Sequence, residues 1–119
     1  MKNFSYILFF LLFTISACKK DDNTYRVSYK IVETSLSPGS YSVRYSMPDG
    51  TLKSEGPINT DTWLTADMTG YKKNTIVSFY LDASGGSYEM IIYVNGEVNQ
   101  QANAYGGMGE QLLEARVPN

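Results

Sequence analysis

The sequence predicts an all-β domain, a small antiparallel Ig-like β-sandwich of seven to eight strands, on three observations. Apolar and polar residues alternate in several separate stretches with a period of two, the period that sends successive side chains to opposite faces of a strand. Tyrosine is abundant, with 10 in 119 residues beside a single Trp, and aromatic side chains suit a pleated, half-buried surface. Clusters of Gly, Asn, Asp and Pro punctuate these stretches at short intervals, as turns between strands require.

In chain order, Tyr25 to Glu33 sets Tyr25, Val27, Tyr29 and Ile31 on one face and Arg26, Ser28 and Lys30 on the other, the pattern of a half-buried strand. Thr34 to Ser40 turns around Pro38-Gly39. Tyr41 to Met47 repeats the alternation, with Tyr41, Val43, Tyr45 and Met47 opposite Ser42, Arg44 and Ser46. Pro48-Asp49-Gly50 makes a tight turn, because proline presets φ and glycine accepts a positive one, and Thr51 to Glu55 is the return strand. Gly56 to Asp61 reads as a polar connection and Trp63 to Met68 as one further short strand.

Asn74 to Ala83 alternates Val77, Phe79 and Leu81 against Ile76, Ser78 and Tyr80, and Ser84-Gly85-Gly86-Ser87 reads as a reversal that pairs it with Tyr88 to Val94. This second stretch is apolar on both faces, so it belongs at the centre of a sheet or carries an exposed patch. Asn95-Gly96 is the strongest hairpin signal in the chain, since both central positions of a type I′ turn need φ > 0. It ties Tyr88 to Val94 against Glu97 to Ala104, whose Asn and Gln residues place its outer face in water. Gly106, Gly107 and Gly109 loosen the next connection, and Glu110 to Val117 closes the domain with Leu113, Ala115 and Val117 inward. No internal repeat is visible.

Ahead of this domain, Lys2 and the uncharged run Tyr6 to Phe13 follow the plan of a secretory signal. The run is too short to span a membrane comfortably, which takes about 20 apolar residues. Ile15-Ser16-Ala17-Cys18 resembles the lipobox of bacterial lipoproteins. The resemblance implies a diacylglycerol on the Cys18 sulfur, cleavage before Cys18 and palmitate-type acylation of the new amine, an anchor of two or three chains that holds a protein lastingly on a membrane. The expected organisation is a signal peptide over 1–17, a lipidated tether over 18–24 and a β-sandwich over 25–119. The other reading of Cys18 is a free thiol behind an ordinary secretory signal. Lys19-Lys20-Asp21-Asp22 resembles the export tag that carries lipoproteins of Bacteroidetes-type bacteria to the outer face of the outer membrane. It implies a lipoprotein of the cell exterior, with the periplasmic face as the alternative.

Composition narrows the chemistry. With 10 Lys+Arg against 12 Asp+Glu, and Lys2 removed with the signal, the mature chain is mildly acidic and lacks the basic face that nucleic acid requires. There is no histidine, and an acylated Cys18 leaves no thiol, so Ser/His/Asp and Cys/His catalysis are excluded. Asp61, Asp67, Asp82 and Glu89 are available for a glycosidase-type carboxylate pair, but such pairs arise freely in any acidic chain. Asp21-Asp22 lacks the spaced ligands of a calcium loop, and Gly85-Gly86 and Gly106-Gly107 do not lead a strand into a helix as phosphate loops do. The expectation is a non-catalytic binding protein without metal or cofactor.

Two groups of aromatic residues are candidates for that binding. Trp63 with Tyr71 offers a stacking platform for a sugar, unless Trp63 is core, as a lone tryptophan in a small sandwich usually is. Ile76, Tyr80, Ile91 and Tyr93, on the face opposite the core of two strands expected to pair, form an outward apolar patch for an envelope protein, unless a loop covers them.

The order of features in the domain also resembles the extracytoplasmic domain of the mycobacterial membrane protein small (MmpS) family. The elements that carry this are Val43 to Gly50, Trp63, Ile76 to Ala83 and the hairpin Ile92-Tyr93-Val94-Asn95-Gly96-Glu97-Val98. The resemblance implies a small Ig-like sandwich and, through the family's association with lipid-exporting transporters, an accessory role beside one. Members have a transmembrane helix where this chain has Cys18, and a cysteine pair where this domain has none.

Overall fold

The computed structural model describes residues 25–35 and 39–118, so the lipobox, Cys18 and the Lys19 to Asp22 tag lie outside the described residues. The described residues form nine strands and no helix: β1 (Tyr25–Glu33), β2 (Tyr41–Ser46), β3 (Leu52–Ile58), β4 (Thr62–Leu64), β5 (Met68–Tyr71), β6 (Ile76–Ala83), β7 (Ser87–Val94), β8 (Glu97–Tyr105) and β9 (Gln111–Arg116). All pairings are antiparallel. One sheet runs β4-β1-β7-β8, with β5 also paired to β1, and the other runs β3-β2-β6-β9. Among the described residues no helix is long and apolar enough to cross a membrane. The antiparallel sandwich expected from the sequence is the fold observed.

Alternation decides which faces meet. Val27, Tyr29 and Ile31 of β1 and Met90, Ile92 and Val94 of β7 line one sheet's inner face, against Tyr41, Val43 and Tyr45 of β2 and Val77, Phe79 and Leu81 of β6 on the other. Such packing removes apolar surface from water at roughly 25 cal/mol per Å², and without a disulfide in the described residues it is what holds the sheets together. Five of the buried residues are tyrosines, and each hydroxyl donates a hydrogen bond. Tyr29 and Tyr71 share the Ser46 carbonyl at 2.9 and 2.6 Å, Tyr41 reaches the Thr60 carbonyl at 3.0 Å, Tyr88 reaches the Gly85 carbonyl at 2.8 Å, and Tyr45 bonds the Glu55 carboxylate. The polar tips thereby avoid the cost of a buried, unpaired donor.

The number of strands exceeds the seven to eight expected because Trp63 to Met68 is not one strand. Leu64 pairs with Lys30 and Met68 with Val27. Between them Thr65 binds Tyr29 twice: its amide donates to the Tyr29 carbonyl, and its Oγ1 accepts the Tyr29 amide at 3.0 Å. A side chain thus takes a ladder bond that main chain would otherwise make, and the chain loops out at Ala66-Asp67 before rejoining β1 as β5.

The pairing of Asn74 to Ala83 with Tyr88 to Val94 is overturned. β6 pairs with β2 and β9, β7 with β1 and β8, and Ser84 to Gly86 arches from one sheet to the other. Each strand carries an apolar row, and the arch lets those rows face one another across the interior, which a hairpin within one sheet would not. The turn at Asn95-Gly96 is as expected, with φ of 52° and 82°.

Tyr25 lies beside Tyr71, while Val117 exchanges backbone bonds with Asn74 and Thr75, so the first described strand begins and the last one ends at the same end of the sandwich. At the opposite end the β6–β7 and β8–β9 connections touch backbone to backbone. The Gly106 amide donates to the Gly86 carbonyl at 2.8 Å, and a Cβ on Gly106 would lie 2.3 Å from Gly85 main-chain atoms, so only glycine fits there.

Candidate functional site

With β6 and β7 in different sheets, the four-residue patch Ile76, Tyr80, Ile91 and Tyr93 does not exist as one surface. Ile76 and Tyr80 lie on the outer face of the four-stranded sheet and Ile91 and Tyr93 on the outer face of the other. The error is one of topology: all four point away from the core, but from opposite sides of the molecule.

On the four-stranded side, Tyr80 is covered by its own chain. The Arg44 guanidinium lies 4.4 Å above the ring centroid, and Glu110 holds it in place through Nε to Oε2 at 2.9 Å and Nη2 to Oε1 at 2.5 Å. Ile76, half exposed, stands apart from this arrangement across from Arg116. The hollow beside Arg44, about 250 Å³, is lined by Ser42, Ser54, Glu55, Asp82 and Glu110. It is polar and acidic, and its one arginine is already paired. Among the described residues no group of three or more carboxylates, cysteines or histidines is placed to hold a metal ion.

The other outer face is different. Ser28 of β1 stands opposite Tyr93 of β7, and Lys30 stands between Ile91 of β7 and Leu64 of β4. The Thr65–Asp67 excursion rises beside them, and its Asp67 is fixed by Arg26 at 3.1 Å. The result is an open groove of about 400 Å³ lined by Ser28, Lys30, Leu64, Thr65, Ala66, Asp67, Tyr93 and Gly96. Ile91, across from Lys30, is buried at 6% exposure, Tyr93 is half-buried and Leu64 is exposed. The groove combines a tyrosine ring and a leucine with one ammonium, two hydroxyls and a carboxylate. That mixture is the chemistry of a binding surface, in which apolar groups supply contact area and polar ones fix orientation.

The proposed sugar platform is dissolved by packing. Tyr71 is 1% exposed with its hydroxyl on the Ser46 carbonyl. Trp63, on the edge strand β4, turns inward and stacks on Phe79 at 5.9 Å between centroids and against Tyr45 at 5.5 Å, closing the open side of the sandwich. Both rings serve the core: Trp63 is the one inward side chain of β4, packed against the core, and Tyr71 is buried in it at the end of β5.

Of the groove residues, sequence reasoning reached Tyr93 and missed Ser28, Lys30, Leu64 and Thr65 as site residues. Ser28 and Lys30 were legible as outward on β1, but their proximity to Tyr93 depends on the β1–β7 pairing, for which the sequence holds no local signal. Neither protein-family models nor curated proteins give a match to this chain.

Proposed function

We propose that this chain is a lipid-anchored, non-catalytic binding module of the bacterial cell envelope that holds another envelope or surface component in the Tyr93 groove. The observation that supports the groove as the site is its contrast with the rest of the surface: Tyr80 is covered and Trp63 and Tyr71 are core, whereas Tyr93, Leu64 and Lys30 share an open depression. The Cys18 lipobox and the Lys19 to Asp22 tag support attachment at the outer membrane facing the cell exterior. A domain displayed there with no histidine and no thiol is suited to binding rather than reaction.

Affinity purification of the full chain from membranes, followed by mass spectrometry, tests the groove. Tyr93→Ser is expected to remove at least nine-tenths of the co-purifying component, while Ile76→Ser, on the opposite sheet, leaves it in place; equal recovery with both variants overturns the assignment. The anchor is tested separately. Cys18→Ser is expected to abolish palmitate incorporation and to move the protein from the detergent-rich to the aqueous phase of a detergent partition, and retention in the detergent phase refutes lipid attachment at Cys18.

A further inference from the structure

A two-sheet sandwich has open edges, and an edge strand presents unpaired N–H and C=O groups that invite another strand unless something blocks it. Three of the edges here are blocked. β3 carries Lys53, Glu55 and Pro57, β9 carries Glu114 and Arg116, and β4 and β5 are three and four residues long and separated by the Thr65–Asp67 excursion. β8 is the exception. It is nine residues long, it shifts register against β7 only near Asn99, and from Val98 to Tyr105 it has neither a charge nor a proline.

The direction of its backbone follows from one contact. Gln111 uses its side-chain carboxamide to hold both the amide and the carbonyl of Tyr105, at 3.2 and 2.5 Å, doing for one residue what a neighbouring strand does for many. Tyr105 therefore faces away from β7. By the alternation of an antiparallel ladder, Ala102 and Ala104 pair inward with Met90 and Tyr88, while Gln101 and Asn103 turn their amides and carbonyls to the open edge. Among the described residues these groups meet no hydrogen-bond partner.

We infer that β8 is a self-association edge, which pairs antiparallel with β8 of a second copy about a twofold axis near Ala102 and joins two five-stranded sheets into one. Three features single out a second copy as the occupant. The uncharged run from Val98 to Tyr105 meets its own copy without repulsion. Asn and Gln side chains both donate and accept, so their row complements itself. Val98 and Tyr105, each 54% exposed, stand on the same outer face at opposite ends of β8 because the register shift near Asn99 offsets the alternation, and an antiparallel pair about Ala102 sets Val98 of one copy beside Tyr105 of the other. A closed, isologous dimer results.

Sedimentation velocity of the detergent-solubilised full chain across a concentration series tests this. The unmodified chain is expected to shift from monomer to dimer mass with concentration. Asn103→Pro removes only an edge-facing N–H, which an edge strand tolerates, and is expected to remain monomeric with an unchanged melting temperature. Asn103→Lys and Gln101→Glu are each expected to weaken association at least tenfold alone and to recover it when mixed, a result that does not depend on the proline variant folding. A chain that is monomeric throughout, or charge variants that fail to recover on mixing, overturns the inference.

Discussion

Above about pH 10 this domain is expected to lose its stability steeply and to unfold in one transition, with tyrosinate absorbance and near-ultraviolet circular dichroism changing together. Tyr29, Tyr41, Tyr45, Tyr71 and Tyr88 all have their pKa raised, in each case chiefly by burial. Tyr29 and Tyr45 are pushed furthest, and the Glu55 carboxylate adds to the effect at Tyr45. Glu33 acts in the same direction on Tyr41 and Tyr88. A raised folded-state pKa means that the folded and unfolded chains bind these protons equally below about pH 10, so the contribution to stability is complete there. Above it the unfolded chain releases protons that the folded chain retains, and stability falls with pH. Each retained proton removes about 1.4 kcal/mol per pH unit, so Tyr29 and Tyr45 alone remove about 3 kcal/mol per unit. Against a total of about 5–15 kcal/mol, these two alone need about two to five units, and the other raised tyrosines shorten that. Gradual titration of the buried tyrosines with the dichroism intact would contradict the structure.

Phe79→Ala is expected to cost about 3–5 kcal/mol in urea unfolding, a large share of a total of about 5–15 kcal/mol. Phe79 is fully buried at the middle of β6. Its ring lies 5.0 Å from Tyr29 and 5.9 Å from Trp63, so it joins the inner faces of both sheets and supports the indole that closes the edge. Truncation leaves a cavity bounded by rings that are pinned elsewhere, Tyr29 by its bond to Ser46, and pinned neighbours relax into a void poorly. Ile76→Ala on the same strand, half exposed, is the control and is expected to change stability by about 0.5 kcal/mol or less. Similar costs for the two would mean that the faces of β6 are reversed.

What the sequence revealed was whatever is local. The alternation of Tyr25 to Glu33 and of Tyr41 to Met47 identified strands and inward residues, because a period of two is written in consecutive positions. Asn95-Gly96 identified its turn because the backbone there excludes most other residues. Strand partners were not legible. Ser84 to Ser87 is permissive enough to make a hairpin or an arch, and what decides is whether the rows Val77-Phe79-Leu81 and Met90-Ile92-Val94 gain more by facing each other than by lying side by side. That is a comparison of whole packings. The candidate patch failed on this point, and the groove was hidden by it, since Ser28 and Tyr93 are far apart in sequence. Trp63 and Thr65 add a smaller lesson: in a short edge segment, one ring turned inward and one hydroxyl replacing a ladder bond rearrange what alternation alone would describe.

The position of β1 bears on how the domain responds to mechanical load. Tyr25 opens a strand paired on both sides, with β7 along seven residues from Val27 to Glu33 and with β4 and β5 on the other flank. Hydrogen bonds in an antiparallel ladder lie across the strand direction. A pull applied at Tyr25 along β1, the direction in which a membrane tether would draw it, therefore loads the ladder in shear, so that many bonds must yield together. The same pull on an edge strand, directed outward, would open its bonds one after another. A ligand held in the groove on β1 and β7 would pass its force into the two strands best joined to resist it.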